Sequence, residues 1–575
     1  MLRTFRHINA SLIAFVLMMA FFSAFFVLPI VTTLKEAFIY KGEFTTAYVT
    51  TVLGDSNYLA GLGNAFVCAI LSTIGAVLIA MPLAILADRY KFPFKGLLSS
   101  LLLIPLVLPP FVGAIGIKQL LGQSGALNVF LSWFGLVDMD NPVDWIGDHR
   151  FAGMVLMNAL HLYPIIFLNV TAALANLDPA MEESAENLGC SPRRRFLQIT
   201  LPLTLPGLFA GCTIVFIWSF TELGVPLIFD YTRITSVQIF DGIKDLRSNN
   251  PFPYALVAVV LIITSVIFIV GKKLAGGKDL SSSGRASVGR TAEVLYGWKG
   301  RCCSLAFLAV IFIASIPHLG VLLVSLSGDW YQSVLPNSFT LEHFEEALGH
   351  TLTLPSIANS LKYAGLATGL NIVLGVAIAY VISRTKIRGR QVLDVMAMMP
   401  LAVPGLVLAF GYLAMTREGQ PLRFLLDNPF IEFENPIFLL VIAYAVRRLP
   451  YIVRSAVAGF QQTSSSLEEA AQNLGAHPLK ALMKITIPLI AANLIAGAML
   501  AFAFSMLEVS DSLILAQRQA HFPITAAIYN LFVGSLGNGS FLAAALGVWA
   551  MTFLAVSIVG AGLLLGKKMG ALFRV

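Results

Sequence analysis

Ionisable side chains interrupt four runs that are otherwise apolar. Glu222 and Glu508 lie in such runs, and Arg447 and Arg448 lie in another just before Pro450. His161 and Leu162 hold the matching places before Pro164. Charge is costly in hydrocarbon, so each of these residues reads as part of a solute path or as half of an internal pair. Two facing carboxylates would make an acidic entrance for a cation. Two arginines would meet an anion, or would neutralise a glutamate such as Glu508. The glutamates can equally cap the helix breaks at Gly224-Val225-Pro226 and Ser510-Asp511. With Asn158, Tyr163 and Asn169, His161 makes its span polar enough to face the interior, where it reads as a satisfied packing residue before a ligand.

A second set of residues is defined by spacing. Glu183-Ser184-Ala185-Glu186-Asn187-Leu188-Gly189 precedes Ile199-Thr200-Leu201-Pro202. The same device returns 286 residues later as Glu469-Ala470-Ala471-Gln472-Asn473-Leu474-Gly475, followed by Ile485-Thr486-Ile487-Pro488. Glu222 and Glu508 keep that offset, while Asn64 with Asn359, Pro105 with Pro400, Pro109 with Pro404 and Gly116 with Gly411 are 295 apart. The chain is therefore two copies of one unit, with a nine-residue contraction in an intervening loop of the second copy.

The elements that must carry these residues are membrane helices. The 575 residues are 57% hydrophobic and 12% charged, about half the charge of a soluble domain. Apolar periodicity and length predict an all-α polytopic membrane protein with about twelve spans: 11–31, 59–87, 97–121, 151–175, 203–228, 254–271, 303–326, 355–383, 393–415, 435–458, 489–513 and 541–566. Matching spans in matching order make two parallel six-helix repeats. The expected division is an accessory helix and outer loop (1–58), a first transmembrane domain (59–271), a cytoplasmic linker (272–301), a second accessory helix and loop (302–354), a second transmembrane domain (355–566) and a tail (567–575).

Loops 122–149 and 327–354 contain no Lys or Arg, whereas 272–301 contains seven. Arg89, Lys91, Arg193-Arg194-Arg195, Arg384 and Lys386 fall on the same side as that linker. The positive-inside bias puts the N-terminus and both repeated devices in the cytoplasm. The net charge of +7 is thereby assigned to the membrane face, and no nucleic-acid partner is expected. The five cysteines lack ligand or disulfide spacing. No phosphate-binding loop is present: Gly276-Gly277-Lys278-Asp279 lacks the first glycine and the Ser or Thr after lysine.

Each device predicts a helix–glycine–helix elbow. Asp178 with Pro179, or Ser465 and Ser466 spaced from Glu468 and Glu469 as a capping box, would start the first helix. Gly189 or Gly475 would end it, and Pro192 or Pro478 would start the next. The elbow would project Glu182, Glu183, Glu468 and Glu469 toward a partner.

The pattern Glu-x-Ala-x-x-x-Gly, nine residues, Ile-x-Leu/Ile-Pro resembles the coupling loop of inner-membrane permeases of bacterial binding-protein-dependent ABC importers. Two halves fused in one chain look most like the ferric-iron-type permeases. The resemblance implies the type I importer permease fold and a place in the bacterial inner membrane. It implies ATPase-coupling roles for Glu183, Ala185, Gly189 and Pro202, and for Glu469, Ala471, Gly475 and Pro488. Ser184 departs from the usual alanine but is also small. Two copies of an ABC ATPase would bind ATP and magnesium, leaving no cofactor in this chain, and a periplasmic binding protein would deliver the solute. Ferric iron is the implied cargo, with 2-aminoethylphosphonate, thiamine or polyamine open, and a gradient-driven secondary transporter is the rival class. Glu222, Glu508, His161, Arg447 and Arg448 are the candidate path residues.

Overall fold

The computed structural model describes residues 2–40, 42–146, 150–242, 251–275, 292–417, 419–420, 422–426, 435–534 and 538–565. The linker core 276–291 and the tail 567–575 lie outside the described residues.

Nine helices among the described residues are long and apolar enough to cross a membrane, and up to eleven spans result if each of two bent pairs counts as one. Their order follows the expected spans, from Ser11–Phe38 to Gly539–Ser557. Two expected spans are not straight. Lys95–Val107 turns by 89° into Pro110–Ser132, and Arg390–Leu401 turns by 102° into Gly405–Met415. The breaks fall at Pro109-Pro110 and Pro404. Proline lacks the amide donor and pushes the preceding residue out of the helical region, and Leu108 is accordingly extended. The expected span 435–458 is the 26-residue helix Ile437–Gln462. It carries Arg447, Arg448 and Arg454, which keep it out of the apolar set.

Within the first half, Ser56–Arg89 packs along Arg150–Ala175 and along Leu201–Phe220 of the fifth span. Thr353–Arg384 repeats this against Ile437–Gln462 and Ile487–Met506. The two accessory helices change partners. Ser11–Phe38 lies against Gly405–Met415 of the second half, while Gly297–Leu326 lies against Pro110–Leu121 of the first. The repeated glycines make this approach possible. A Cβ on Gly116 would sit 2.3 Å from the Pro317 carbonyl oxygen, and one on Gly411 would sit 2.4 Å from that of Pro29. Tyr412 adds a 2.6 Å hydrogen bond to the Phe25 carbonyl. Each half is thus clasped by the first helix of the other.

Sheet is confined to three two-stranded pairings among the described residues. One joins Tyr90–Lys91 to Glu293–Val294 in parallel, tying the far end of the linker to the C-terminal end of the Ser56–Arg89 helix.

Candidate functional site

The elbows form as two short helices joined at glycine. Pro179–Asn187 is capped by Asp178, whose carboxylate accepts from the Ala180 amide at 3.0 Å. Ser465–Asn473 is capped by Ser464, which accepts from Ser466. The cap is one residue earlier than the capping-box spacing suggested, at the position that repeats Asp178. The second helices start at Pro192 and Pro478, capped by Ser191 and His477.

Both first helices end in a Schellman turn. The Cys190 amide donates to Ala185 O at 2.9 Å and the Gly189 amide to Glu186 O at 2.8 Å. The second half repeats this with Ala476 to Ala471 O and Gly475 to Gln472 O, each 3.0 Å. Gly189 has φ +79 and Gly475 φ +92, a region where a Cβ is strained. Ala185 and Ala471 are half-buried and supply the carbonyl that closes each turn.

Glu183 and Glu469 are exposed at the elbows. Beside them Leu188 and Leu474 are 87% and 91% exposed, more than any other large apolar side chain described. Each elbow thus presents an apolar tip flanked by a carboxylate. Glu182 and Glu468 do not project, contrary to expectation; both are buried. They lie in the first turn of their helices and face inward to Arg89 and Arg384, at 2.9 and 3.1 Å. Burial costs a carboxylate its hydration, and the guanidinium with a threonine hydroxyl replaces it.

After each elbow the chain makes one π-helical turn, Phe196–Thr200 and Leu482–Thr486. Pro202 and Pro488 follow two residues after the π turn ends, inside a helix that continues unbroken from Pro192 and Pro478. These helices run on to Glu222 and Glu508, each at a break: Leu201–Phe220 gives way to Gly224–Ile228, and Ile487–Met506 to Ser510–Leu515.

Here the halves differ. Glu222 Oε1 accepts from its own Gly224 amide at 3.0 Å, capping the short helix beyond the break. Glu508 instead pairs with both Arg447 and Arg448. Arg447 also reaches Asp511 at 3.5 Å. The Glu508 carbonyl accepts from Thr525 at 2.7 Å, and Arg448 lies over the Phe504 ring at 5.3 Å. The arginine pair is therefore an internal partner, and Glu508 is not half of an open acidic entrance. Glu508 thus lies level with Arg447, near the middle of Ile437–Gln462.

What meets between the fifth spans is aromatic. Trp218 and Phe504 occupy equivalent repeat positions, and their rings touch edge-on at 6.4 Å. His161 packs against Trp218 at 5.9 Å, and its Nδ1 is 2.7 Å from the Pro105 carbonyl. Tyr451 packs on Phe504 at 5.2 Å. Sequence reading missed Trp218, Phe504 and Asp511. The 286 spacing pairs the two aromatics, whereas Asp511 matches Val225 and left no repeat signal.

Residues 76–275 and 371–561 match the family described as "Binding-protein-dependent transport system inner membrane component". A Haemophilus influenzae protein named as a ferric transport system permease, FbpB 1, is 27% identical over 549 residues, 93% of this chain and 81% of the relative. The ferric transport system permease protein FbpB of Actinobacillus pleuropneumoniae is 27% identical over 88% of this chain and 71% of its own length. The Fe(3+)-transport system permease protein FbpB 2 of Haemophilus influenzae is 25% identical over 79% of this chain and 80% of its own. With two family matches that together span more than half of its length, one on each six-helix half, this chain belongs to the binding-protein-dependent transport system inner membrane components.

Proposed function

We propose that the chain forms the whole translocation pore of an ATP-driven importer and that its cargo is ferric iron. The observation that carries the coupling role is the duplicated elbow. Each copy ends in the same glycine turn, exposes the same Leu and Glu, and joins directly to a span that leads to the pathway residues. Two like elbows suit two ATPase subunits, which supply ATP binding and hydrolysis with their own magnesium. Clamping of the ATPases would draw the elbows together and switch the pore between outward and inward access. A periplasmic binding protein would load the outer face. The Lys and Arg bias supports a cytoplasmic N-terminus in a bacterial inner membrane.

Ferric iron rests on likeness to relatives named for it over most of the chain. An anionic cargo such as 2-aminoethylphosphonate drew its support from Arg447 and Arg448, which are occupied by Glu508. Thiamine and polyamine remain competitors to be offered in the same assay. The test is uptake of labelled ferric iron by proteoliposomes holding this chain, its ATPase and its binding protein. Uptake that needs ATP and both partners is expected. Uptake by this chain alone under an ion gradient would overturn the reading.

A further inference from the structure

Three side chains from three separate segments meet behind each elbow. In the first half they are Arg89 at the end of the second-span helix, Glu182 in the elbow and Thr200 at the end of the π turn. Arg89 Nη2 is 2.9 Å from Glu182 Oε1 and 3.1 Å from Thr200 Oγ1, and the Thr200 hydroxyl donates to the same carboxylate oxygen. In the second half Arg384 Nε is 3.1 Å from Glu468 Oε1, and Thr486 Oγ1 donates to it at 2.9 Å. Arg384 also donates to the Thr463 carbonyl at 2.7 Å, where the fourth-span helix ends.

Two features set these contacts apart from surface ion pairs, which are worth little. They are buried: the arginine side chains are 13% exposed, the glutamates 7% and 8%, and the threonines 0%. They also form twice across a length change. The arginines are 295 residues apart, the glutamates and threonines 286, and the nine-residue contraction lies between. The π turn has a role here. One extra residue per turn rotates the following helix relative to the elbow, and in both halves the turn ends on the threonine that reaches the carboxylate.

We propose that Arg89–Glu182–Thr200 and Arg384–Glu468–Thr486 are two positioning triads that fix each elbow to the second and fifth spans of its own half, so that a displacement of the elbow moves both spans as one body. The proposal rests on the coupling role argued above. Without the triad an elbow would still present Glu183 or Glu469 and Leu188 or Leu474, so an ATPase would still dock. Its motion would be taken up by bending at the π turn and would not reach the pore.

The test compares Glu182→Gln with Glu468→Gln, and Thr200→Val with Thr486→Val, in the complete complex in proteoliposomes. The valine variants keep bulk and leave the ion pair, so they report even where the glutamine variants assemble poorly. The readouts are ATPase retained on purification and ferric ions imported per ATP hydrolysed. ATPase retention near that of the parent is expected in the valine variants, with imported ions per ATP falling about threefold for each valine variant and about tenfold for each glutamine variant that assembles. An unchanged ratio in the valine variants overturns the triads, as does loss of uptake in strict proportion to loss of bound ATPase. A parent complex in which the binding protein does not stimulate ATP hydrolysis refutes the coupling role itself, a result distinguishable from both.

Discussion

At the elbow, Arg89, Glu182 and Thr200 meet as Arg384, Glu468 and Thr486 do, and each helix closes on the same two backbone bonds. One helix length farther along the fifth span, the same repeat places His161, Leu162 and Val225 where the other half has Arg447, Arg448 and Asp511. Glu222 is satisfied by its own backbone, and its twin Glu508 by two guanidinium groups. The contrast separates two tasks. On the proposed reading, two like ATPase subunits would need two equal handles, and the elbows of the two halves are alike. A single cargo passing once through one path would give the residues deeper in the fold no reason to match between the halves.

The comparison can be broken most readily at the charges. Glu508→Ala strands the buried Arg448, leaves Arg447 only its longer Asp511 contact, and should cost about 3–5 kcal/mol. Glu222→Ala removes a local cap worth about 1 kcal/mol. Thermal unfolding of the purified protein in nanodiscs measures both, and equal losses would contradict the asymmetry. At the elbows the expectation reverses, and the halves should respond alike. Gly189→Pro or Gly475→Pro places proline at positive φ and removes a turn hydrogen bond, a local cost of about 3 kcal/mol. Either variant should insert normally yet lose binding-protein-stimulated ATP hydrolysis; normal coupled transport would remove the elbow from the account.

The exchanged accessory helices offer a milder test. Gly116→Leu and Gly411→Leu each overfill a helix contact and should destabilise by about 1–3 kcal/mol, read as lower melting temperatures of similar size. The smallest effect is expected at an elbow feature found in one half only. Arg195 pairs with Glu186, while the second half has Ala481 and Gln472 at those places. Glu186 is largely exposed, so Arg195→Ala should change stability by about 0–1 kcal/mol and leave the uptake ratio unaltered.

Much of the fold was legible because membrane burial writes long apolar runs and duplication writes offsets. Prolines at 109 and 404 are visible too, yet hydropathy carries no direction and makes each right-angle break look like a continuous span. Ile437–Gln462 appeared as a span by length, although its arginines exclude it from the apolar set. At the elbow, composition placed Glu182 and Glu468 with their neighbours Glu183 and Glu469. Which of two adjacent carboxylates turns inward depends on the helix phase set by the cap, and Ser464 rather than Ser465 holds that position. The partner exchange of the accessory helices left no signal in either repeat, because it is a relation between halves.

The central claim is that two equivalent elbows grip two ATPase subunits. Leu188→Cys and Leu474→Cys, each in a cysteine-free background and reconstituted with the ATPase, test it by cross-linking with a short bifunctional reagent. The account predicts that both positions cross-link to the ATPase with similar yield and that ATP alters both yields together. Cross-linking at one position only, or at neither, would contradict it.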